Sequence, residues 1–227
     1  MVAESSNREQ RAVETRRRIF AAAAELFAAR GYHETTVAQI AERAGVAKGT
    51  FFIHFATKDA VVTELVRSQT RAAKRARASV LQAGGSPLDA LRATTLTLGA
   101  QAGASKPLSR AVLAATLENP DVGGESARLF DEVYELMIED ARQAIAARLL
   151  RAANAEIVAR SLMASYLGAA LHFASAPKAR PLAEILGPLV EANLAGFQPS
   201  RSKEVPHGKE TRVGRVAGGR RRARGVL

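Results

Sequence analysis

The spacing of apolar residues along the chain predicts helices throughout. Over Thr15–Arg30, apolar residues recur three and four positions apart, as on one face of an amphipathic helix that ends at Gly31. Further helices are predicted at Val37–Ala44, Gly49–Phe55, Thr57–Leu81, Leu88–Ala104, Pro107–Leu117, Ser126–Leu150, Glu156–Ser175 and Leu182–Phe197, with a break at Gly123–Gly124. No segment alternates like a strand, so the fold is predicted to be all-α.

Residues at the predicted helix ends support these boundaries. Thr36 and Gln39 have the spacing of a capping box, in which each side chain accepts a hydrogen bond from the backbone amide of the other residue. Thr57 and Ser86 are expected to cap the helices that follow them, and Pro87 suits a first helical position.

The composition is typical of a soluble helical protein. The 227 residues are 47% hydrophobic and include no cysteine, which excludes disulfides and thiolate sites and suits a reducing cytoplasm. The N-terminal residues do not form a secretory signal. The longest nearly apolar run, Ala164–Ala176, contains serines and His172 and is predicted to be too short to cross a membrane. We therefore expect a cytoplasmic protein with no membrane partner.

The sequence contains no recognisable catalytic motif. There is no HExxH, phosphate-binding GxxxxGK or GxSxG pattern, and the histidines at 33, 54, 172 and 207 lack metal-ligand spacing. The acidic pairs Asp131–Glu132 and Glu139–Asp140 are interpreted as solvated faces of one long helix. Neither an enzyme, nor a metal site, nor a cofactor is expected.

Charge is distributed unevenly along the chain. The net charge is +6 over residues 1–80, −2 over 81–197 and +7 over 198–227. A basic N-terminal part on a near-neutral body indicates that one end meets a polyanion. Residues 198–227 lack a hydrophobic period and are predicted to be disordered; they either add sequence-independent DNA affinity or are inert.

The two short helices have the form of a helix-turn-helix. Their four-residue turn begins with Gly45, an arrangement that presents the second helix to the major groove of DNA. Lys48 at the start of that helix opposes the helix dipole unless an anion is nearby. Gly49 beside it allows close approach of the backbone at a cost of roughly 0.5–1 kcal/mol relative to alanine. Both residues favour DNA binding over a purely structural role.

The stretch TTVAQIAERAGVAKGTFFIHFATKDAVV resembles the N-terminal DNA-binding domain of the TetR family of transcriptional regulators. The likeness covers about residues 12–66 and includes LFAARGY, AGV, KGT, HF and TKDA in order. It implies an all-α homodimer with an N-terminal three-helix DNA-binding domain followed by a larger ligand-binding and dimerisation domain. The corresponding segments are a flexible N-terminus at 1–11, the helix-turn-helix domain at 12–56, the helical domain at 57–197 with a connecting helix at 57–83, and the tail at 198–227.

The resemblance also assigns roles to single residues. It implies that Thr36 meets a phosphate, that Lys48 and Thr50 contact bases or backbone, that Gly49 permits close approach, and that His54 and Lys58 touch phosphates. An alternative for His54 is that it stacks in the core or binds a carbonyl.

Three positions of the recognition helix depart from the family pattern. Ala47 stands where a serine is usual, so a side-chain cap is expected to be missing. Phe52 and Ile53 stand where tyrosines are usual, which predicts apolar contact with thymine methyl groups in place of polar contact. Phe51 and Phe55 are expected in the core, whereas Phe52 could lie either in the core or on the side that faces DNA.

The C-terminal helices are expected to form a dimer seam and a ligand pocket. Ile157–Phe173 mixes large and small apolar residues and, with Leu182–Phe197, suits a four-helix seam, although both faces could instead close the monomer core. The expected pocket for a small hydrophobic effector is lined by Phe130, Tyr134, Met137, Met163, Tyr166 and His172; the alternative for each of them is a place in the core or in the dimer seam.

These features predict a homodimeric, ligand-released repressor that reads a near-palindromic DNA operator. One alternative is a nonspecific architectural DNA binder driven by the basic tail. Another is a ligand carrier or enzyme with a vestigial helix-turn-helix.

Overall fold

The computed structural model describes residues 2–151 and 154–199, and every regular element in that part of the chain is an α-helix. The helices are α1 (Val2–Arg30), α2 (Val37–Arg43), α3 (Lys48–His54), α4 (Lys58–Gln82), α5 (Pro87–Gly103), α6 (Lys106–Glu118), α7 (Pro120–Ala146), α8 (Ala155–Ser175) and α9 (Leu182–Phe197). The all-α prediction is confirmed. The prediction of disorder for the basic tail falls, from residue 200 onward, outside the described residues.

The first hydrophobic core joins α1, α2, α3 and the start of α4. Its largest fully buried side chains are Ile19, Phe27, Ile40, Phe51 and Val61. Ala111 and Ala115 of α6 and Val122 of α7 complete the same core. The N-terminal domain is therefore packed directly against the domain that follows it.

The second and larger core lies among α4, α5, α7, α8 and α9. Its fully buried members include Leu91, Leu98, Met137, Leu162, Leu186 and Leu194. Because Val61 of α4 belongs to the first core and Ala73 to the second, α4 is shared between the two.

A buried ion pair fixes the C-terminal half of α4 to α7. Arg77 donates two hydrogen bonds of 2.7 Å to the carboxylate of Asp140, whose side chain is fully buried. The hydrogen bond to Asp140 raises the pKa of the Arg77 guanidinium above its ordinary value. The interpretation of Glu139–Asp140 as a solvated face is wrong for Asp140, because the arginine that reaches it comes from a distant part of the chain.

The predicted helix caps are confirmed. The Thr36 hydroxyl accepts from the amide of Gln39, whose side chain accepts from the amide of Thr36. Thr57 and Ser86 cap α4 and α5, and Pro87 is at the start of α5.

Two helices begin several residues earlier than predicted. Helix α1 begins at Val2 and not at Thr15, so residues 2–11, predicted to be a flexible N-terminus, are helical. That segment is rich in glutamate, arginine, alanine and glutamine, which favour helix, and it contains neither proline nor glycine.

Helix α7 begins at Pro120, and Gly123 and Gly124 are inside it, so the predicted break there is wrong. A Cβ atom at Gly123 would lie only 2.8 Å from the carbonyl oxygen of Thr116. The glycine therefore serves close approach of α7 to α6 and does not end a helix. Helix α7 also ends at Ala146, short of the predicted Leu150.

Helix α8 is, by length and composition alone, long and apolar enough to cross a membrane. The shortness of the apolar run Ala164–Ala176 therefore does not by itself exclude a membrane-spanning helix. In the structure, 44% of its most apolar 18-residue stretch is buried, and α8 packs against α5, α6, α7 and α9. It is a packed helix of the second core.

The buried pair leads to a stability prediction. We expect Asp140→Ala to lower the free energy of unfolding by about 3 kcal/mol, because it leaves the Arg77 charge half-buried without its partner. The neighbouring Glu139→Ala, which removes an exposed carboxylate on the same helix, should leave it nearly unchanged. Urea denaturation at one fixed protein concentration measures both, and equal losses would contradict the assignment.

Candidate nucleic-acid interface

Helices α2 and α3 form the helix-turn-helix that the sequence predicts. They are joined by Ala44–Ala47, and Gly45 adopts a φ of +65°, which favours glycine. The amide of Val46 donates to the carbonyl of Ala41 at 3.0 Å and so closes the end of α2.

The inner face of α3 is anchored by two phenylalanines. Phe51 and Phe55 are 0% and 2% exposed, and their ring centroids lie 5.9 Å apart. Arg16 of α1 lies 4.1 Å from the centroid of the Phe55 ring and donates to the carbonyl of His54. A cation at this position satisfies a free carbonyl and suits the negative end of a helix.

The outer face of α3 is open. Lys48 and Gly49 are exposed and Thr50 is half-buried. Phe52 is 48% exposed and Ile53 is 80% exposed, so Phe52 lies outside the core, with its ring edge-on to Phe51. The same short helix thus has a closed apolar face and an exposed face that mixes apolar and polar groups.

The start of α3 lacks a side-chain cap, as predicted. Ala47 occupies the N-cap position with φ −66° and ψ 149°, and no side-chain hydrogen bond is made there. Thr36, in contrast, caps α2 and remains exposed, so its hydroxyl proton is free to be donated outward.

Lys58 points inward in the structure. Its ammonium donates to the carbonyl of Tyr32 at 2.8 Å and lies 4.1 Å from the centroid of the Tyr32 ring. Burial lowers the pKa of the Lys58 ammonium. A phosphate contact by Lys58 would require this side chain to leave Tyr32. His54 is half-buried beside Arg16.

Three residues near α3 were missed from the sequence. Arg16 holds the end of α3, Tyr32 holds Lys58, and Arg18 lies 3.9 Å from the position that a Cβ atom on Gly45 would take, beside the turn. The only signal for the arginines was the run of three at 16–18, in which nothing local separates an inward from an outward residue.

Polar contacts join the N-terminal domain to the corner between α6 and α7. The Tyr32 hydroxyl donates to Asp59, and the side-chain amide of Asn119 donates to the same carboxylate at 2.7 Å. Burial raises the pKa of the Asp59 carboxyl, an effect that the Asn119 hydrogen bond opposes. Nearby, His33 and Glu118 make a 2.7 Å contact between the domains. A movement of this corner would therefore also displace the loop before α2.

A cavity of about 120 Å³ lies in the C-terminal domain among α4, α5, α6, α7 and α8. Phe130 and Leu167 line both this cavity and an outer groove of about 380 Å³. Most lining groups are apolar; the polar ones in the cavity are Gln69, Ser109, Thr116 and the Tyr166 hydroxyl. Burial raises the pKa of Tyr166, so this hydroxyl stays protonated.

The structure brings together four of the six residues predicted for the ligand pocket. Phe130 and Tyr166 line the cavity, and Tyr134 and Met163 join Phe130 in the groove. Met137 is fully buried in the second core and His172 is exposed, and neither lines the cavity or the groove. His172 lies on another face of α8, whereas Met137 shares the face of Phe130 but lies two turns further along α7, inside the second core.

Helices α8 and α9 leave apolar side chains uncovered in the single chain. Ile157 and Leu171 are 54% and 50% exposed on α8, with the exposed small residues Ala164 and Gly168 between them. Leu189 of α9 is 41% exposed. Together these residues form an uncovered apolar face on α8 and α9.

Comparison with known proteins identifies the architecture. A family model described as bacterial regulatory proteins, tetR family, matches residues 19–65. The solved structure of FadR from Thermus thermophilus, a TetR-family transcriptional repressor in complex with lauroyl-CoA, is 30% identical in sequence. Its superposition covers 85% of this chain and 100% of FadR with a TM-score of 0.61. The chain belongs to the TetR family.

Other TetR-family relatives are similar over shorter stretches or in fold alone. The regulator TcmR of Streptomyces glaucescens is 42% identical over 84 residues, which is 37% of each chain. The chain likewise spans about a third of the length of the first curated relatives it matches. Bacillus subtilis FadR, solved with stearoyl-CoA, has the same fold, with a TM-score of 0.66 at 16% identity. These relatives are transcriptional regulators.

The missing cap on α3 can be restored by one substitution. We expect Ala47→Ser to raise the free energy of unfolding by about 1 kcal/mol, because the backbone at Ala47 already has N-cap angles and the hydroxyl would accept from an early amide of α3. Ala56→Ser, an exposed position between α3 and α4, is the control. Urea denaturation that shows an equal gain in both variants, or none in Ala47→Ser, would contradict this interpretation.

Proposed function

We propose that this TetR-family protein is a ligand-released repressor that binds a near-palindromic DNA operator as a homodimer. The observation that carries the proposal is the two-faced recognition helix α3, whose inner face is buried through Phe51 and Phe55 while Phe52 and Ile53 stand in solvent. A purely structural helix of seven residues would gain nothing from exposing two large apolar side chains.

DNA is the partner that fits the exposed face. Lys48, Gly49 and Thr50 are at the N-terminal end of α3, where helix-turn-helix proteins contact bases and phosphates. Phe52 and Ile53 follow and would meet thymine methyl groups, the apolar feature of the major groove. We assign Thr36, Ala47 and His54 to the rim of this interface, and Lys58 as well if its side chain leaves Tyr32.

The uncovered faces of α8 and α9 support a homodimer. Paired across a two-fold axis, the two helices of each subunit would form a four-helix seam in which Ala164 and Gly168 allow close contact. The two α3 helices could then enter successive major grooves about 34 Å apart. In this arrangement residues 12–56 are the DNA-binding domain, residues 57–197 the ligand-binding and dimerisation domain, and the cytoplasm the place of action.

A hydrophobic effector suits the cavity, and the relatives point to an acyl chain. FadR proteins with the same fold were solved with lauroyl-CoA and stearoyl-CoA. In this chain the cavity is lined by α4 and α6, and both helices also belong to the core of the DNA-binding domain. Occupation of the cavity would thus displace helices that position α3, with a coupling of about 1–3 kcal/mol as is typical of allostery.

Selection of bound sequences from random DNA tests the operator proposal. We expect an enriched palindrome, and we expect a chain ending at residue 199 to retain the same preference. The absence of any enriched sequence, or a preference that is lost with residues 200–227, would favour the rival function of a nonspecific architectural binder driven by the basic tail.

Replacement of thymine by uracil in the selected operator tests whether Phe52 and Ile53 contact thymine methyl groups. Each methyl group that contacts Phe52 or Ile53 should contribute about fourfold to Kd, because burying one such carbon is worth about 0.8 kcal/mol. At the positions that Ile53 contacts, the difference between thymine and uracil should vanish in Ile53→Ala and persist in Val13→Ala, another exposed apolar residue, on α1. Uracil without effect at every position would show that α3 does not read methyl groups.

Lauroyl-CoA tests the effector class. We expect it to release the operator in a fluorescence anisotropy titration, whereas CoA without an acyl chain should not. Ala170→Phe fills the cavity and should abolish release with operator binding retained, while Ala100→Phe on the exposed side of α5 should behave as wild type. Release that is unaffected by Ala170→Phe would exclude this cavity as the effector site.

A further inference from the structure

A second cavity, of about 440 Å³, lies between the two domains where the end of α1 and the loop after it face α6. We call it the interdomain crevice. Its apolar floor includes Phe27, Pro107 and Ala111, and Tyr32 lies at one side. It is separate from the 120 Å³ cavity proposed above for the effector, which we call the effector cavity. Ser109, Val112 and Thr116 of α6 line the effector cavity, whereas Pro107, Ala111 and Ala114 line the crevice.

The walls of the interdomain crevice carry positive charge only. Arg30 comes from α1, and Lys106 and Arg110 come from α6. No aspartate or glutamate is among the residues that line it. His33 also lines the crevice, but its imidazole already contacts Glu118 at 2.7 Å.

The positive charge of Arg30, Lys106 and Arg110 exceeds what their contacts in the protein require. Arg110 donates through Nε to the carbonyl of Ala174 at 3.0 Å, and Lys106 donates to the carbonyls of Ala176 and Pro177, so both satisfy the end of α8. The end of a helix carries only about half an elementary charge. The Nη groups of Arg110 remain, and the Arg30 side chain has no hydrogen bond or ion pair among the residues whose side chains are described, 8–151 and 154–199.

We propose that the interdomain crevice binds a small amphipathic organic anion. Its phosphate or carboxylate group would lie between Arg30 and Arg110, because the guanidinium fork matches both groups. Its apolar body would cover Phe27 and Ala111. An anion held there contacts α1 and α6 together, so it regulates the protein from the face of α6 opposite the effector. By linkage, anion and effector then change each other's affinity by the same factor.

Calorimetric titration of the full chain with 2-naphthyl phosphate tests this site without DNA or effector. We expect saturable binding by the wild type and none of comparable strength by the neutral 2-naphthol. Arg30→Gln should raise Kd by about fivefold through loss of a charge-assisted hydrogen bond. Arg75→Gln, an exposed arginine of α4 that lines neither cavity, is the matched control and should leave Kd unchanged.

Two further variants test whether the anion binds in the interdomain crevice and whether both arginines hold it. Ala170→Phe fills the effector cavity, and apart from the coupling between the two sites it should still bind 2-naphthyl phosphate saturably and with the same sensitivity to Arg30→Gln, which separates the two sites. Arg110→Gln should weaken binding further, but Arg30→Gln decides the question because Arg30 holds no other element in place. The proposal is overturned by absent binding at millimolar concentration, by equal binding of 2-naphthol, or by equal effects of Arg30→Gln and Arg75→Gln.

Discussion

A helix of seven residues is too short to be stable alone, so α3 depends on the core to which Phe51 and Phe55 anchor it. The anchoring rings fix which face turns outward, and with it the exposure of Phe52 and Ile53. Arg16 adds a second constraint from α1 by holding both the Phe55 ring and the carbonyl that ends α3. The orientation of the exposed face is therefore a property of the whole first core, whose tertiary contacts hold α3 although Ala47 provides no side-chain cap.

The first core is not closed without the second domain. Ala111, Ala115 and Val122 complete it from α6 and α7, and α4 runs through both cores. The Arg77–Asp140 pair fixes the far half of α4, while Tyr32, Asp59 and Asn119 tie its near end to the corner between α6 and α7. Movement of α6 or α7 is thus passed to α4 and to the loop before α2 through packed and hydrogen-bonded contacts, which is the physical basis on which a ligand could change DNA affinity.

Helix α6 occupies the central place in this arrangement. One face borders the effector cavity, another borders the interdomain crevice, and its N-terminal cations hold the end of α8. Since α8 also carries part of the uncovered apolar surface, the proposed dimer seam, effector cavity and crevice are all connected through contacts of one 13-residue helix.

Local sequence determined much of this protein. The helical period, the capping residues Thr36, Thr57 and Ser86, the buried phenylalanines of α3 and the missing cap at Ala47 all follow from neighbours a few positions apart, and such interactions can be inferred from spacing. The tertiary structure alone decided that Asp140 is buried against Arg77, that Gly123 is inside a helix pressed against Thr116, and that Lys58 turns towards Tyr32. It also decided which predicted pocket residues meet: Phe130 and Tyr166 do, whereas Met137 and His172 lie elsewhere. In each of these cases the partner belongs to another helix or loop, and the residue's environment is set by how these elements pack and not by its immediate neighbours in sequence.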